Sequence, residues 1–415
     1  MEKIILVLFV ILLPSLALSQ SPERLNILAV GQVMPGESPI PSWFDADPLV
    51  DYVLIPTDID IMGGRSVAGQ DVMEEAWRRF VRIYFPKTRD ALLKDFDFFV
   101  FPDGYLEPFS TRQLADMRYA MENGLGCFVT MGGDLSGPTQ KSYPGWKNSV
   151  LYDLMPVELN DKMKQDGSQF HIKVLKEDPP VLSMFVPLGI EEVPGTTFTY
   201  LFPKEGTTVW AKLVSPQLPK WASGDWLVSW RIGESGGIFW TVADDLDHLW
   251  WWSMYGHSKN EYAMDVFLNI LLYSTGRKLP SDISMIHQIR QLYWQYNQEK
   301  LLLFSLLDFV DRFGANTKVI ERQIDEVDAL KEQSFDEYRR QDFQSALDTI
   351  RVAIRQMGAT SDNAMKLKNR ALMWVYITEW TAVTGTLFAA GFVTYSLLVR
   401  RRLYREVTTT RYRER

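Results

Sequence analysis

The sequence predicts an α/β fold: a parallel sheet with antiparallel additions, followed by an α-helical hairpin stalk and one C-terminal transmembrane helix. Three observations predict it. Between Leu25 and Met131 short continuous apolar runs alternate with helical stretches, the pattern of a parallel sheet covered on both faces. Beyond Pro280 strand signals almost vanish and apolar residues recur at helical spacing. Residues 371–399 form an apolar segment long enough to cross a hydrocarbon core of roughly 30 Å as a helix.

In chain order, residues 1–19 read as a signal peptide. Lys3 precedes an apolar run from Ile4 to Leu18, and the small residues Ala17 and Ser19 stand before a cut at Gln20. The run is short for a membrane span, which favours cleavage over an uncleaved anchor. Strands are expected at 25–30, ending in Gly31 and Gln32; at 52–56, ending in Thr57 and Asp58; at 96–101, ending in Pro102, Asp103 and Gly104; and at 126–131, ending in Gly132, Gly133 and Asp134. Helices are expected around 70–84 and from Thr111 to Asn123, the second with Leu114, Met117 and Met121 on one face and Gly124 at its end. The shorter runs at 171–175, 183–188, 197–202, 208–214, 226–230 and 237–242 read as antiparallel strands separated by Gly and Pro.

The helical region begins with a helix to about Phe313, stopped by Gly314. A second helix starts near Asn316 and Thr317 and carries Ile320, Ile324, Val327 and Leu330 on one face. A third carries Phe343, Leu347, Ile350, Ile354, Met357 and Ala364, a narrow seam that packs two helices as a hairpin. The resulting division is an exported α/β domain at 20–278, a stalk at 279–370, a span at 371–399 and a tail at 400–415.

Formal net charge is −8 and unevenly spread. The tail from Arg400 carries +5 and the span carries −1 through Glu379, which leaves −12 for the remainder. So acidic a body excludes nucleic acid as a partner, because phosphates are met by clustered Lys and Arg. Arg400, Arg401 and Arg402 after the span predict a cytoplasmic tail and an extracytoplasmic body. Trp374, Tyr376 and Trp380 suit the opposite interface, where Glu379 reads as an interfacial carboxylate. Gly385, Ala389 and Ala390 offer a small-residue face for a homodimer through the stalk and span. The single cysteine, Cys127, rules out an intramolecular disulfide and a cysteine-based zinc cluster.

In parallel sheets ligands bind beyond the carboxyl ends of the strands. Those ends carry Gln32, Asp58, Asp103, Asp134, Asp244 and Asp245, with His248 close behind, and these are the candidate ligand-binding residues. Each Asp also has a local reason to stand in a turn, where its carboxylate accepts backbone N–H groups. Asp244, Asp245, Asp247 and His248 are weak candidates for a hard divalent cation. Trp43, Trp146, Trp221, Trp226, Trp230, Trp250, Trp251 and Trp252 could line a carbohydrate or peptide groove, but packing of the sheet against helices is favoured. No cofactor is expected, since the chain has no Walker loop, no dinucleotide fingerprint and no Gly-x-Ser-x-Gly elbow.

The segments FFVFPDGYLEPFS, GLGCFVTMGGDLSGP, WKNSVLYDLMPVEL and DWLVSWRIGESGGIFWTVADDLDHLWW resemble the class I glutamine amidotransferase-like superfamily, and within it the membrane-associated and trehalose-utilisation-like relatives. The resemblance covers about residues 24–278 and implies a flavodoxin-like, amidotransferase-like sheet. The family's chemistry needs a Cys nucleophile on a strained strand-to-helix turn, with a His base oriented by an acid. The turn position here falls at Gly132, Gly133 or Asp134, and none is a thiol. Cys127 lies five residues before Gly132, roughly 16 Å back along an extended strand. No His-x-Glu pair occurs. The resemblance therefore implies a fold kept without glutamine hydrolysis. Three readings stay open: a non-catalytic ligand-binding or assembly module with an extracytoplasmic protein or glycan partner, a metal-assisted hydrolase acting on a sugar-like or amide substrate, and a structural subunit of a membrane complex.

Overall fold

The computed structural model describes residues 24–34, 38–57, 70–246, 249–252 and 260–411; the side chains of 70–74, of Asp134 and of 405–411 also lie outside the description. The expected signal peptide lies outside the described residues. The chain divides into two compact units: residues 1–294 with 334–347, and residues 295–333 with 348–415.

The first unit is built on a mixed eight-stranded sheet in the order β2-β1-β3-β4-β10-β9-β8-β6. Strands β1 (Leu25–Gly31), β2 (Val50–Pro56), β3 (Phe98–Phe101), β4 (Gly126–Thr130) and β10 (Ile238–Val242) are mutually parallel. Strands β9 (Asp225–Arg231), β8 (Thr208–Val214) and β6 (His171–Val174) continue it antiparallel. Every residue of β3, β4 and β10 is buried, as expected of strands covered on both faces. The helices of this unit are α1 (Ile40–Asp45), α2 (Gln70–Tyr84), α3 (Arg89–Asp95), α4 (Thr111–Glu122), α5 (Ser142–Lys147) and α6 (Ala263–Ser274). Helix α4 starts where the sequence says it should, because Ser110 and Gln113 form a capping box: the Gln113 N–H donates to Ser110 Oγ at 3.3 Å, and the Ser110 N–H donates to Gln113 Oε1 at 2.9 Å.

Three expected strands are corrected. The run 237–242, expected as an antiparallel addition, joins the parallel part of the sheet beside β4. Residues Ser183–Leu188 form a 3-10 helix rather than a strand. Pro187 has no N–H to give a ladder, and the segment bonds locally instead. Of the run 197–202 only Phe198–Thr199 (β7) is extended, and it pairs with Gln165–Asp166 (β5) in a separate two-stranded sheet.

Most of the tryptophans serve as packing. Trp226, Trp250 and Trp251 are buried with ring centroids 4.3–5.5 Å apart. Trp251 also packs edge-on against Phe128 of β4 and Phe267 of α6. Trp146 packs edge-on against Phe101, and its indole N–H donates to the Gly104 carbonyl at 2.8 Å. Trp221 alone of the eight singled out from the sequence is mostly exposed.

The second unit contains the C-terminal part of α7 (Ile283–Asp311), the first part of α8 (Lys318–Arg339) and most of α9 (Phe343–Arg411). Leu303, Leu307 and Val310 are buried with Ile320, Ile324 and Val327. On α9 the buried seam runs Ile350, Ala353, Met357, Thr360, Ala364, at spacings of 3, 4, 3 and 4. Ile354, expected within the seam, sits at its margin, because the small Ala353 occupies the close-approach position. Lys300 Nζ lies 2.7 Å from both carboxylate oxygens of Asp328, which also accepts the Tyr296 hydroxyl. Helix α9 runs unbroken through 358–361 into the apolar segment, where one stretch is long and apolar enough to cross a membrane and is not buried. Phe388 and Phe392 are 79% and 73% exposed there, the state of side chains that lipid covers.

Candidate functional site

The carboxyl ends of the parallel strands meet on one rim, and three backbone features shape it. After β3 the chain turns at Asp103, a non-glycine residue in the left-handed region at φ 43°. Such a conformation is sterically costly without a compensating contact. The contact is Thr130, the last residue of β4: the Asp103 N–H donates to Thr130 Oγ1 at 2.9 Å, and the Thr130 hydroxyl donates to Asp103 Oδ1 at 3.3 Å. Both residues are buried. After β4 the chain turns again at Gly133, at φ 44°. After β10 it carries Asp244 and Asp245, both buried, where the Asp245 N–H donates to Asp244 Oδ1 at 3.0 Å.

The two carboxylates facing the rim lie over the glycines of the second turn. A Cβ placed on Gly133 would stand 3.0 Å from Asp103 Oδ2, and one on Gly132 would stand 2.5 Å from Asp245 Cβ and Oδ2. This turn is where a nucleophile elbow would put its side chain. Gly133 has no side chain, and one added there would press on the Asp103 carboxylate, which would have to give by a few tenths of an ångström. Cys127 is no substitute: it is buried within β4, paired with Phe99 and Phe239, and burial pushes its thiol well above its ordinary value.

Around this centre stand groups that the sequence did not single out. Thr57, after β2, is buried and its hydroxyl accepts the Tyr105 N–H at 3.3 Å. The Tyr105 ring stacks on Trp77 of α2 with centroids 5.3 Å apart, and its hydroxyl is buried with no hydrogen-bond partner among the described residues. Gln32 reaches the same rim, its N–H donating to the Pro102 carbonyl at 2.8 Å. The structure thus brings Gln32, Asp103, Asp244 and Asp245 to one edge of the sheet. Asp58, Asp247, His248 and the side chain of Asp134 lie outside the described residues. Among the described residues no group of three or more His, Cys, Asp and Glu side chains is arranged to hold a metal ion.

A second polar cluster lies in the interior, with no signal in the sequence. Arg290 of α7 donates to Asp47 Oδ2 from Nε at 2.9 Å and from Nη2 at 2.6 Å, and to Asp265 Oδ1 of α6 from Nη1 at 2.8 Å. Asp265 Oδ2 is 2.6 Å from His287 Nδ1, and the Tyr338 hydroxyl donates to Asp47 Oδ2 at 3.2 Å. Burial works to lower the Arg290 pKa, but Tyr338, Asp47 and Asp265 outweigh it and hold the guanidinium above its ordinary value. Burial, chiefly, raises the Tyr338 phenol well above its ordinary value, so it acts as a donor. The cluster ties the first part of α7, which belongs to the sheet unit, to α6 and to Asp47 beyond α1.

No protein-family model matches the chain, and no curated protein matches it.

Proposed function

We propose that the chain is a membrane-anchored, single-pass protein whose sheet unit is a non-catalytic, amidotransferase-like binding module with its ligand on the carboxyl rim. One observation carries the absence of amidotransferase chemistry: the turn after β4, Gly132, Gly133 and Asp134, offers no thiol, and the Asp103 carboxylate crowds Gly133. The parallel strand order 2-1-3-4-10 supports the flavodoxin-like reading, in which the β1/β3 switch point is the ligand crevice. Asp103 and Gln32 stand at that point. Two carboxylates, a tyrosine stacked on a tryptophan and a free phenol favour a ligand that offers hydroxyl or amine donors and an apolar face, such as an extracytoplasmic glycan or peptide. The Arg-rich flank of the span supports an extracytoplasmic body and a cytoplasmic tail.

The test uses full-length protein in nanodiscs on glycan and peptide arrays. Retention that is lost in Asp103→Asn and Asp245→Asn together, with no turnover of amide or glycoside substrates, supports the reading. Turnover that disappears in Asp103→Asn overturns it in favour of a hydrolase. Protease added to intact cells tests orientation: digestion of the sheet unit with the last residues spared is the expected result.

One observation favours assembly into a membrane complex as a second reading. On the helical unit Leu302 and Phe309, seven residues apart on one face of α7, are 70% and 39% exposed. Co-purification of another membrane protein that is lost in Leu302→Glu with Phe309→Glu supports it, and an unchanged set of co-purifying proteins removes it.

A further inference from the structure

The sheet unit has a second cavity, of about 350 Å³, that shares no residue with the rim. Its volume is at the lower end of the roughly 300–1,000 Å³ range of small-molecule sites. Four cations line it, Arg277, Lys278, Arg290 and Arg339, and no carboxylate does among the described residues. That is unusual for a chain whose body is strongly acidic. Leu279 and Phe343 contribute to an apolar wall.

Cations at helix ends often just cap carbonyls, and three of these four follow that geometry: Arg277 and Lys278 come after α6, and Arg339 ends α8. The carbonyls concerned are already capped by the backbone. The Arg277 N–H donates to the Leu272 carbonyl at 2.9 Å, and the Asp342 N–H donates to the Glu337 carbonyl at 3.0 Å. The other demands on these groups are uneven. Arg290 is committed to Asp47 and Asp265. Arg277 donates to the Arg24 carbonyl at 3.0 Å. Arg339 pairs through Nη2 with Asp336, and its buried Nε–H has no acceptor among the described residues. Lys278 has no ion-pair partner among the described residues. Gln341, on the same wall, holds the left-handed backbone at φ 63°. That conformation closes α8, where the Gln341 N–H donates to the Tyr338 carbonyl at 2.9 Å.

We infer that this cavity binds a small amphipathic organic anion. Its phosphate or carboxylate head would be held by Lys278 and the Arg339 guanidinium, and its apolar body would lie along Leu279 and Phe343. Charge complementarity selects the ligand: an ammonium and a guanidinium on the cavity wall both donate to an anionic oxygen, and no carboxylate among the described lining residues competes for them. The head could come from a free metabolite or from a lipid headgroup.

The probe is 1-naphthyl phosphate, titrated by calorimetry into full-length protein in nanodiscs of zwitterionic lipid. The expected result is one site per chain, with affinity reduced about tenfold by Lys278→Gln and further by Lys278→Gln with Arg339→Gln. The uncharged 1-naphthol should bind at least about tenfold more weakly. Lys278 is exposed, so its single variant keeps the test decisive if the double variant fails to fold. Equal affinity for 1-naphthol, or binding unchanged in Lys278→Gln, overturns the inference. Nanodiscs containing phosphatidylglycerol separate the sources: loss of naphthyl phosphate binding through competition assigns the head to lipid, and undiminished binding assigns it to a free anion.

Discussion

Arg290→Met tests whether the buried ion cluster is what ties the first part of α7 to α6 and to Asp47. The Arg290, Asp47 and Asp265 side chains are 1%, 2% and 0% exposed, so water cannot replace a lost partner. The substitution keeps most of the volume and removes three charge-assisted hydrogen bonds, two to Asp47 and one to Asp265. The two buried carboxylates are then left with the Tyr338 hydroxyl, the Leu49 N–H and His287 as partners. Breaking a buried pair in this way costs about 3–5 kcal/mol, and the surviving partners place the expected loss near about 3. The assay is denaturant unfolding followed by tryptophan fluorescence, which reports the sheet unit through Trp226, Trp250 and Trp251. Asp47→Asn with Asp265→Asn in the Arg290→Met background should recover more than half of it, since the uncompensated charges are gone. A deficit below about 1 kcal/mol, or one that the two Asn substitutions leave unchanged, refutes the reasoning.

Four further outcomes follow from particular contacts. Gly133→Ala combines the left-handed backbone with a Cβ 3.0 Å from Asp103 Oδ2, so it should destabilise by about 1–2 kcal/mol in denaturant unfolding and weaken any ligand that depends on Asp103. Ser110→Ala removes the α4 cap and should cost about 1 kcal/mol in the same measurement, whereas Ser110→Asp should cost little. Cys127 should resist iodoacetamide at pH 8 until denaturant is added, as followed by mass spectrometry. Because its folded pKa is raised by burial, unfolding releases a proton once pH passes the ordinary thiol value of about 8.5; the stability contributed by this group is intact below that pH and falls as pH rises above it. A chain ending at residue 370 should be released from membranes by alkaline carbonate while the full chain stays in the pellet, and equal release of both would remove the anchor.

Local pattern was enough for the sequence to determine the elements with strong periodicity. The parallel strands at Leu25–Gly31, Phe98–Phe101 and Gly126–Thr130 are uninterrupted apolar runs, and nothing competes with burial on both faces. The apolar segment within α9 was legible for the same reason: it is written within consecutive residues. The short runs at 171–175, 208–214 and 226–230 also hold as antiparallel strands, but at 183–188 a proline tipped an apolar run into a 3-10 helix. The rim was half legible. The Asp residues at strand ends are visible in one dimension, but only the parallel register of β3 and β4 brings Thr130 under Asp103, 27 residues away, and puts that carboxylate against Gly133. The Arg290 cluster was not legible at all, because its partner Asp47 lies 243 residues away and a charge carries no periodicity. Sequence sets what each segment prefers on its own, through side-chain spacing and backbone freedom. Only the folded chain decides which distant polar groups meet away from water, since their pairing becomes favourable once desolvation has made the unpaired alternative too costly.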